Sequence, residues 1–152
     1  MNKQLSLEEY LRENGSLTYS NVGVSMLPLL RQGRDLLTLQ AKGQARCKVG
    51  DVALFRRESG QLVLHRIVAV RDADYVLRGD NCTGDEPGVT DAQILGVMTG
   101  YVRGGRTHSI TEPRYRLYSY LILHTARLRI PILKVRHRIR RRLWRLLKAK
   151  KQ

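Results

Sequence analysis

A serine hydroxyl becomes a nucleophile only when a base can take its proton and a donor can hold the charge developing on the attacked carbonyl. Ser25 sits in the stretch VGVSMLPLL (22–30), with Gly23 before it and Pro28 after it. Of the four histidines, His124 and His137 lie in an arginine-rich segment, and His108 follows a glycine turn that suits solvent exposure. His65, in QLVLHRIVAV (61–70), is the best base the body offers. Two-residue alternation puts it on one strand face with Val63 and Ile67. An apolar setting of that kind disfavours the imidazolium and keeps the ring able to accept a proton. A core histidine bonded to backbone would fit the same strand, so this segment alone leaves both roles open.

The elements that must bring these groups together read as mainly β. Residues 5–13 carry Leu5, Leu7, Tyr10 and Leu11 at helical spacing, with Asn14-Gly15 as a stop, and predict a short helix. Residues 17–24 and 36–40 predict strands on either side of the serine segment. VGDVALFRR (49–57) and QLVLHRIVAV (61–70), separated by ESG, predict a hairpin. DYVLRGDN (74–81) reads as a strand ending in a tight turn, DEPGVTDAQ (85–93) as a loop, and ILGVMTGYVRGG (94–105) as a further strand. Strands so closely spaced, without long helices between them, predict a mainly antiparallel sheet or small barrel.

Charge divides the chain in two. All 13 acids lie in residues 1–112 with half of the 28 Lys and Arg, while residues 113–152 hold the other half and no acid. The first part reads as a nearly neutral β domain. The second reads as a basic amphipathic helical tail, with Leu117, Leu121, Leu128, Ile132, Val135, Ile139, Leu143 and Leu146 recurring every three, four or seven residues. Pro131 is expected to kink or divide it. Cys47 and Cys82 read as free thiols, without metal spacing around them, and no metal or cofactor is expected. The N-terminal stretch lacks the apolar core of a signal peptide, and nowhere do about 18 apolar residues run uninterrupted. A cytoplasmic location is the resulting expectation.

Taken in order, GVSMLPLL, VGDVALF, VLHRIVAV, LRGDN and ILGVMTGYV resemble the signal peptidase I family, and more broadly the serine peptidases that share its fold with self-cleaving repressors. Ser25-Met26-Leu27-Pro28 matches the family's nucleophile segment, and Gly50-Asp51 its Gly-Asp pair. His65-Arg66 matches the histidine branch rather than the lysine branch. Arg78-Gly79-Asp80-Asn81, followed by Asp85, matches that branch's Lys-Gly-Asp-Asn segment. The resemblance covers residues 20–103. It implies a complex antiparallel β fold in which Ser25 attacks a peptide carbonyl and His65 acts as general base and then acid. Asp80 or Asp85 would orient the imidazole, with Glu86 behind them. The backbone around Gly23, Val24, Ser25 and Met26 would hold the oxyanion and substrate, chiefly through the Ser25 N–H.

Three departures stand beside the likeness. Many members have a serine two positions before the nucleophile, where this chain has Gly23. The Gly-Asp after the proline segment reads Gly33-Arg34-Asp35, and the N-terminal membrane anchor is missing. The implied substrate is a peptide or protein segment, like a signal or leader peptide, bound as an added strand. A catalytically silent peptide-binding module of the same fold is the alternative. A self-cleaving regulator is a third, although no Ala-Gly linker precedes the body. The basic tail suits an anionic membrane surface, peripherally at the inner face, ahead of a partner helix or nucleic acid.

Overall fold

The computed structural model describes residues 6–20 and 22–149. Helix α1 (Leu7–Asn14) opens the chain. Ser6 caps it through the Glu9 N–H while Glu9 bonds back to the Ser6 N–H, satisfying two of the free donors at a helix start. Leu5 and residues 150–152 lie outside the described residues.

Eight strands follow: β1 (Ser16–Ser20), β2 (Asp35–Ala41), β3 (Val52–Arg56), β4 (Leu62–Val70), β5 (Tyr75–Arg78), β6 (Glu86–Val89), β7 (Ile94–Arg103) and β8 (Arg106–Ser109). They form one antiparallel sheet ordered β1-β2-β7-β3-β4-β5-β6, with β8 also on β7. The sheet is open, with β1 and β6 at its ends. Register shifts at Thr38/Leu39, Leu54/Phe55, Ile67/Ala69 and Tyr75/Leu77 bend it.

Side-chain alternation divides the interior into two clusters. Leu37, Leu39, Leu54, Leu64 and Met98 pack with Leu11, Met26 and Tyr115. Ala53, Phe55, Ile67, Tyr75 and Leu77 form the second. Leu54 and its neighbours Ala53 and Phe55 therefore serve opposite sides of β3, as a strand buried on both faces requires.

Several expectations need correction. β1 stops at Ser20, because the chain turns before Ser25 instead of running extended to residue 24. Residues 85–93 are not all loop: Glu86–Val89 pair with β5, and Asp91–Gln93 form a short 3-10 turn. Pro87 and Gly88 hid this strand, which sits at a sheet edge where a missing N–H is tolerated. β8 was not foreseen.

The basic segment forms α2 (Pro113–His124) and α3 (Ala126–Ala149), and its break falls at Thr125 rather than at Pro131. Thr125 Oγ1 bonds back to the Leu121 carbonyl, while Pro131 is accommodated within α3. α2 is built into the body: Tyr115 is part of the first core cluster, and Ile122 is buried.

Candidate active site

The serine segment is a turn anchored at both ends. Gly23 takes a left-handed φ of 97°, a conformation that strains any side chain, and lets the strand reverse. The Leu27 N–H then bonds to the Val24 carbonyl at 3.2 Å, leaving Ser25 and Met26 at the centre of the turn. Met26 is fully buried, whereas Ser25 is half-buried at the surface of a cleft. Asn81 ties this turn to the one after β5: its N–H donates to the Ser25 carbonyl at 2.7 Å and its amide to the Val24 carbonyl at 3.1 Å.

His65 meets the serine segment around Gly79. A Cβ on Gly79 would stand 2.8 Å from the Ser25 carbonyl oxygen, 2.9 Å from His65 Nε2 and 2.7 Å from Cys82 Sγ. Three atoms from three segments thus surround one point, each closer to it than real Cβ contacts allow. Only glycine fits there. Ser25 Oγ makes no hydrogen bond among the described residues, and Nε2 has Cys82 Sγ at 3.9 Å. Loose contacts of this kind are common in catalytic sites without substrate.

On the other side of the ring, Nδ1 lies 2.9 Å from Glu86 Oε1. The carboxylate sits off the ring N–H axis, so Nδ1 has a close charged neighbour but no aligned hydrogen bond. Arg57 competes for the same carboxylate, donating through Nε to Oε2 at 2.7 Å and through Nη2 to Oε1 at 2.5 Å. Burial holds His65 below its ordinary pKa; Glu86 opposes this, and Arg57 adds to it. The hydrogen bond from Arg57 is the main reason Glu86 titrates below the usual carboxylate range. The result is a neutral imidazole beside an ionised carboxylate, the starting state a general base needs.

Neither of the two favoured aspartates occupies that position. Asp80 is buried and accepts two bonds from Arg66, Nε to Oδ1 and Nη2 to Oδ2, both at 2.8 Å. The Tyr118 hydroxyl adds a third at 2.9 Å. Asp85 faces solvent and pairs with Arg78 at 2.8 Å. The carboxylate beside His65 is Glu86, at the first position of β6. The resemblance puts the two aspartates ahead of it, because the family's carboxylate lies at or just after the Gly-Asp-Asn turn. Pairing of β6 with β5 is what brings Glu86 to His65, and that pairing is a long-range event.

Among the four residues assigned to oxyanion and substrate, Gly23 is committed elsewhere, its N–H donating to Gln32 Oε1 at 2.9 Å. The Val24 carbonyl is taken by Leu27 and Asn81. The N–H groups of Ser25 and Met26 bond to nothing among the described residues.

A cleft of about 550 Å3 lies in front, lined by Ser25, His65, Cys82 and Glu86. One wall is Leu62–His65, which pairs with β3 on one side only, because β5 reaches β4 no earlier than Arg66. That unpaired edge could accept an extended peptide. A second groove, also reaching Ser25, has α3 as its far wall through His137, Arg140 and Arg141. Among the described residues there is no cluster suited to holding a metal ion. No family model matches this chain, and no curated protein matches it.

Proposed function

We propose that the protein is a serine endopeptidase of the signal-peptidase-like fold, cutting a peptide segment laid along the free edge of β4. In this reading Ser25 Oγ attacks the scissile carbonyl and His65 Nε2 takes its proton. His65 then returns the proton to the leaving amine, and water repeats the cycle on the acyl-enzyme. Glu86 stabilises the transient imidazolium, and the N–H groups of Ser25 and Met26 face the developing oxyanion. The observation that carries the reading is the convergence around Gly79 of the Ser25 segment and His65 Nε2, with a carboxylate beside the ring's other nitrogen.

The test is labelling by a fluorophosphonate in the wild type, Ser25→Ala, His65→Ala and Cys82→Ala. Labelling is expected to survive in Cys82→Ala and to vanish in the first two variants. Equal labelling in all four sinks the assignment.

The contact between Cys82 Sγ and Nε2, in place of one from Ser25 Oγ, favours a second reading as a silent peptide-binding module. Peptide binding by the wild type without labelling or cleavage would select it.

The basic helix has its own proposed partner, an anionic bilayer. Arg129, Leu133 and Arg136 of α3 face the body, while Leu128, Ile132, Val135, Ile139 and Leu143 form an exposed apolar stripe among arginines. No helix among the described residues is long and apolar enough to cross a membrane. A stripe of this kind lies in the interface, where each nearby cation adds about 1 kcal/mol. Sedimentation with phosphatidylglycerol vesicles is expected to fall sharply in Val135→Asp/Ile139→Asp and with added salt. Unchanged sedimentation of that variant removes the membrane as partner.

A further inference from the structure

We infer that the pocket behind the serine turn, between Arg31 and α3, binds a phosphate-class oxyanion. This proposal goes beyond the peptidase reading and does not depend on it. The pocket is lined by Leu27, Pro28, Asp80 and Asn81 on one side and by Arg129 and Arg136 of α3 on the other, with Arg31 at its edge. Its volume is about 410 Å3, enough for a phosphate group with a small substituent.

The charges in this pocket do not balance. Among the described residues Asp80 is its only carboxylate, and both of its oxygens are already engaged by Arg66 and Tyr118. Asp35, the acid closest in sequence to Arg31, accepts the Arg31 backbone N–H and is committed to Arg34 and Arg103. Arg136 donates to the neutral Asn81 side chain at 2.6 Å, and Arg129 donates through Nη1 to the Asp80 backbone carbonyl. Three guanidinium groups therefore share a pocket without a free anion to meet them.

Arg129 carries the argument further. Its Nε and Nη2 are buried and have no hydrogen-bond partner among the described residues. Burying a polar donor without a partner costs free energy, and burying a charged one costs more. Burial works against its charge; Asp80 offsets part of this, and Arg78 and Arg66 add to it. A guanidinium with unspent donors is the geometry that receives two oxygens of a phosphate side by side. The apolar walls from Leu27, Pro28, Ile132 and Leu133 would accommodate a carbon substituent, so a phospholipid headgroup and a free phosphate ester share the required chemistry.

The test uses full-length protein and inorganic phosphate at constant ionic strength, read by isothermal titration calorimetry. One saturable site is expected, weakened by about tenfold in Arg129→Gln and in Arg31→Gln. Arg140→Gln/Arg141→Gln, outside the pocket, is expected to leave it unchanged. Arg31 is exposed, so its variant decides the matter if Arg129→Gln fails to fold. Absence of saturable binding, or equal binding in the Arg31 variant, overturns the proposal and leaves only diffuse attraction to the cationic helices. Phosphatidylglycerol vesicles form the second arm, against phosphatidylcholine. If they displace phosphate from the wild type, the site serves a lipid headgroup; if they do not, it serves a soluble phosphate.

Discussion

His65 and Arg66 are neighbours on β4, yet alternation sends them to opposite faces, where they meet opposite circumstances. Arg66 is fully buried and satisfied: two bonds go to Asp80, and Nη1 donates to the Gly50 carbonyl, Ser119 Oγ and the Tyr115 hydroxyl. The rings of Tyr115 and Tyr118 flank its guanidinium at 5.8 and 5.7 Å. His65 is nearly as buried, but its Nδ1 faces a carboxylate shared with Arg57, and its Nε2 faces a thiol at the wall of an open cleft. The saturated cluster ties β4, the turn after β5 and α2 into one unit and has nothing left with which to react. The unsaturated one keeps a lone pair and a mobile charge balance. Burial alone does not separate structure from chemistry; unsatisfied valence beside a cavity does.

That contrast can be broken at three points. The largest effect is expected from Asp80→Ala, which strands Arg66 as an unpaired buried charge. A loss of about 3–5 kcal/mol in denaturant unfolding is expected. A fully stable Asp80→Ala protein would show that this cluster does not anchor the fold.

Glu86→Gln acts on the other face and is expected to lower peptide-cleaving kcat/KM on the order of 10²-fold with little change in stability. The loss is smaller than the ~10⁴ seen when a buried orienting aspartate is changed, because Glu86 is shared with Arg57 and partly exposed. An unchanged rate would return the orienting role to another group or dispense with it.

The smallest effect concerns pH. Activity is expected to rise with pH through a midpoint below 6.5 and then level off, since burial lowers the His65 pKa from that value. Arg57→Gln removes a cation that holds the pKa down, so the acid limb should move to higher pH. Glu86→Gln removes an anion that holds it up, so the limb should move to lower pH. The two substitutions therefore move the limb in opposite directions. Shifts in the same direction for both variants would contradict the electrostatic account of the ring.

Folding stability follows the same ring. Because the native imidazole binds its proton less readily than the unfolded one, its contribution is full above pH 6.5 and is lost as pH falls towards the lowered native value.

Much of the framework was legible in the chain. Alternation in β2, β4 and β7, the capped α1 and the hairpin at residues 57–61 rest on local rules that the final packing does not override. Ser25 and His65 were legible as candidates, because each is marked by local context. Their carboxylate was not, since Asp80, Asp85 and Glu86 are close neighbours in sequence and differ only in which way a turn and an edge strand aim them. The break at Thr125 was hidden for the opposite reason: a proline signal was present at 131, and the helix accommodated it.

By itself the sequence determined a mainly β body and a basic helical end and singled out Ser25 and His65 as candidates, because hydrophobic period and charge are properties of neighbours along the chain. Tertiary structure alone decided that Glu86 rather than either aspartate reaches His65, that Asp80 belongs to Arg66, and that α3 brings the unspent donors of Arg129 to the pocket behind the serine turn. Those outcomes depend on strand register and on a helix held against the turn after β5, and such pairings join residues that no local pattern relates.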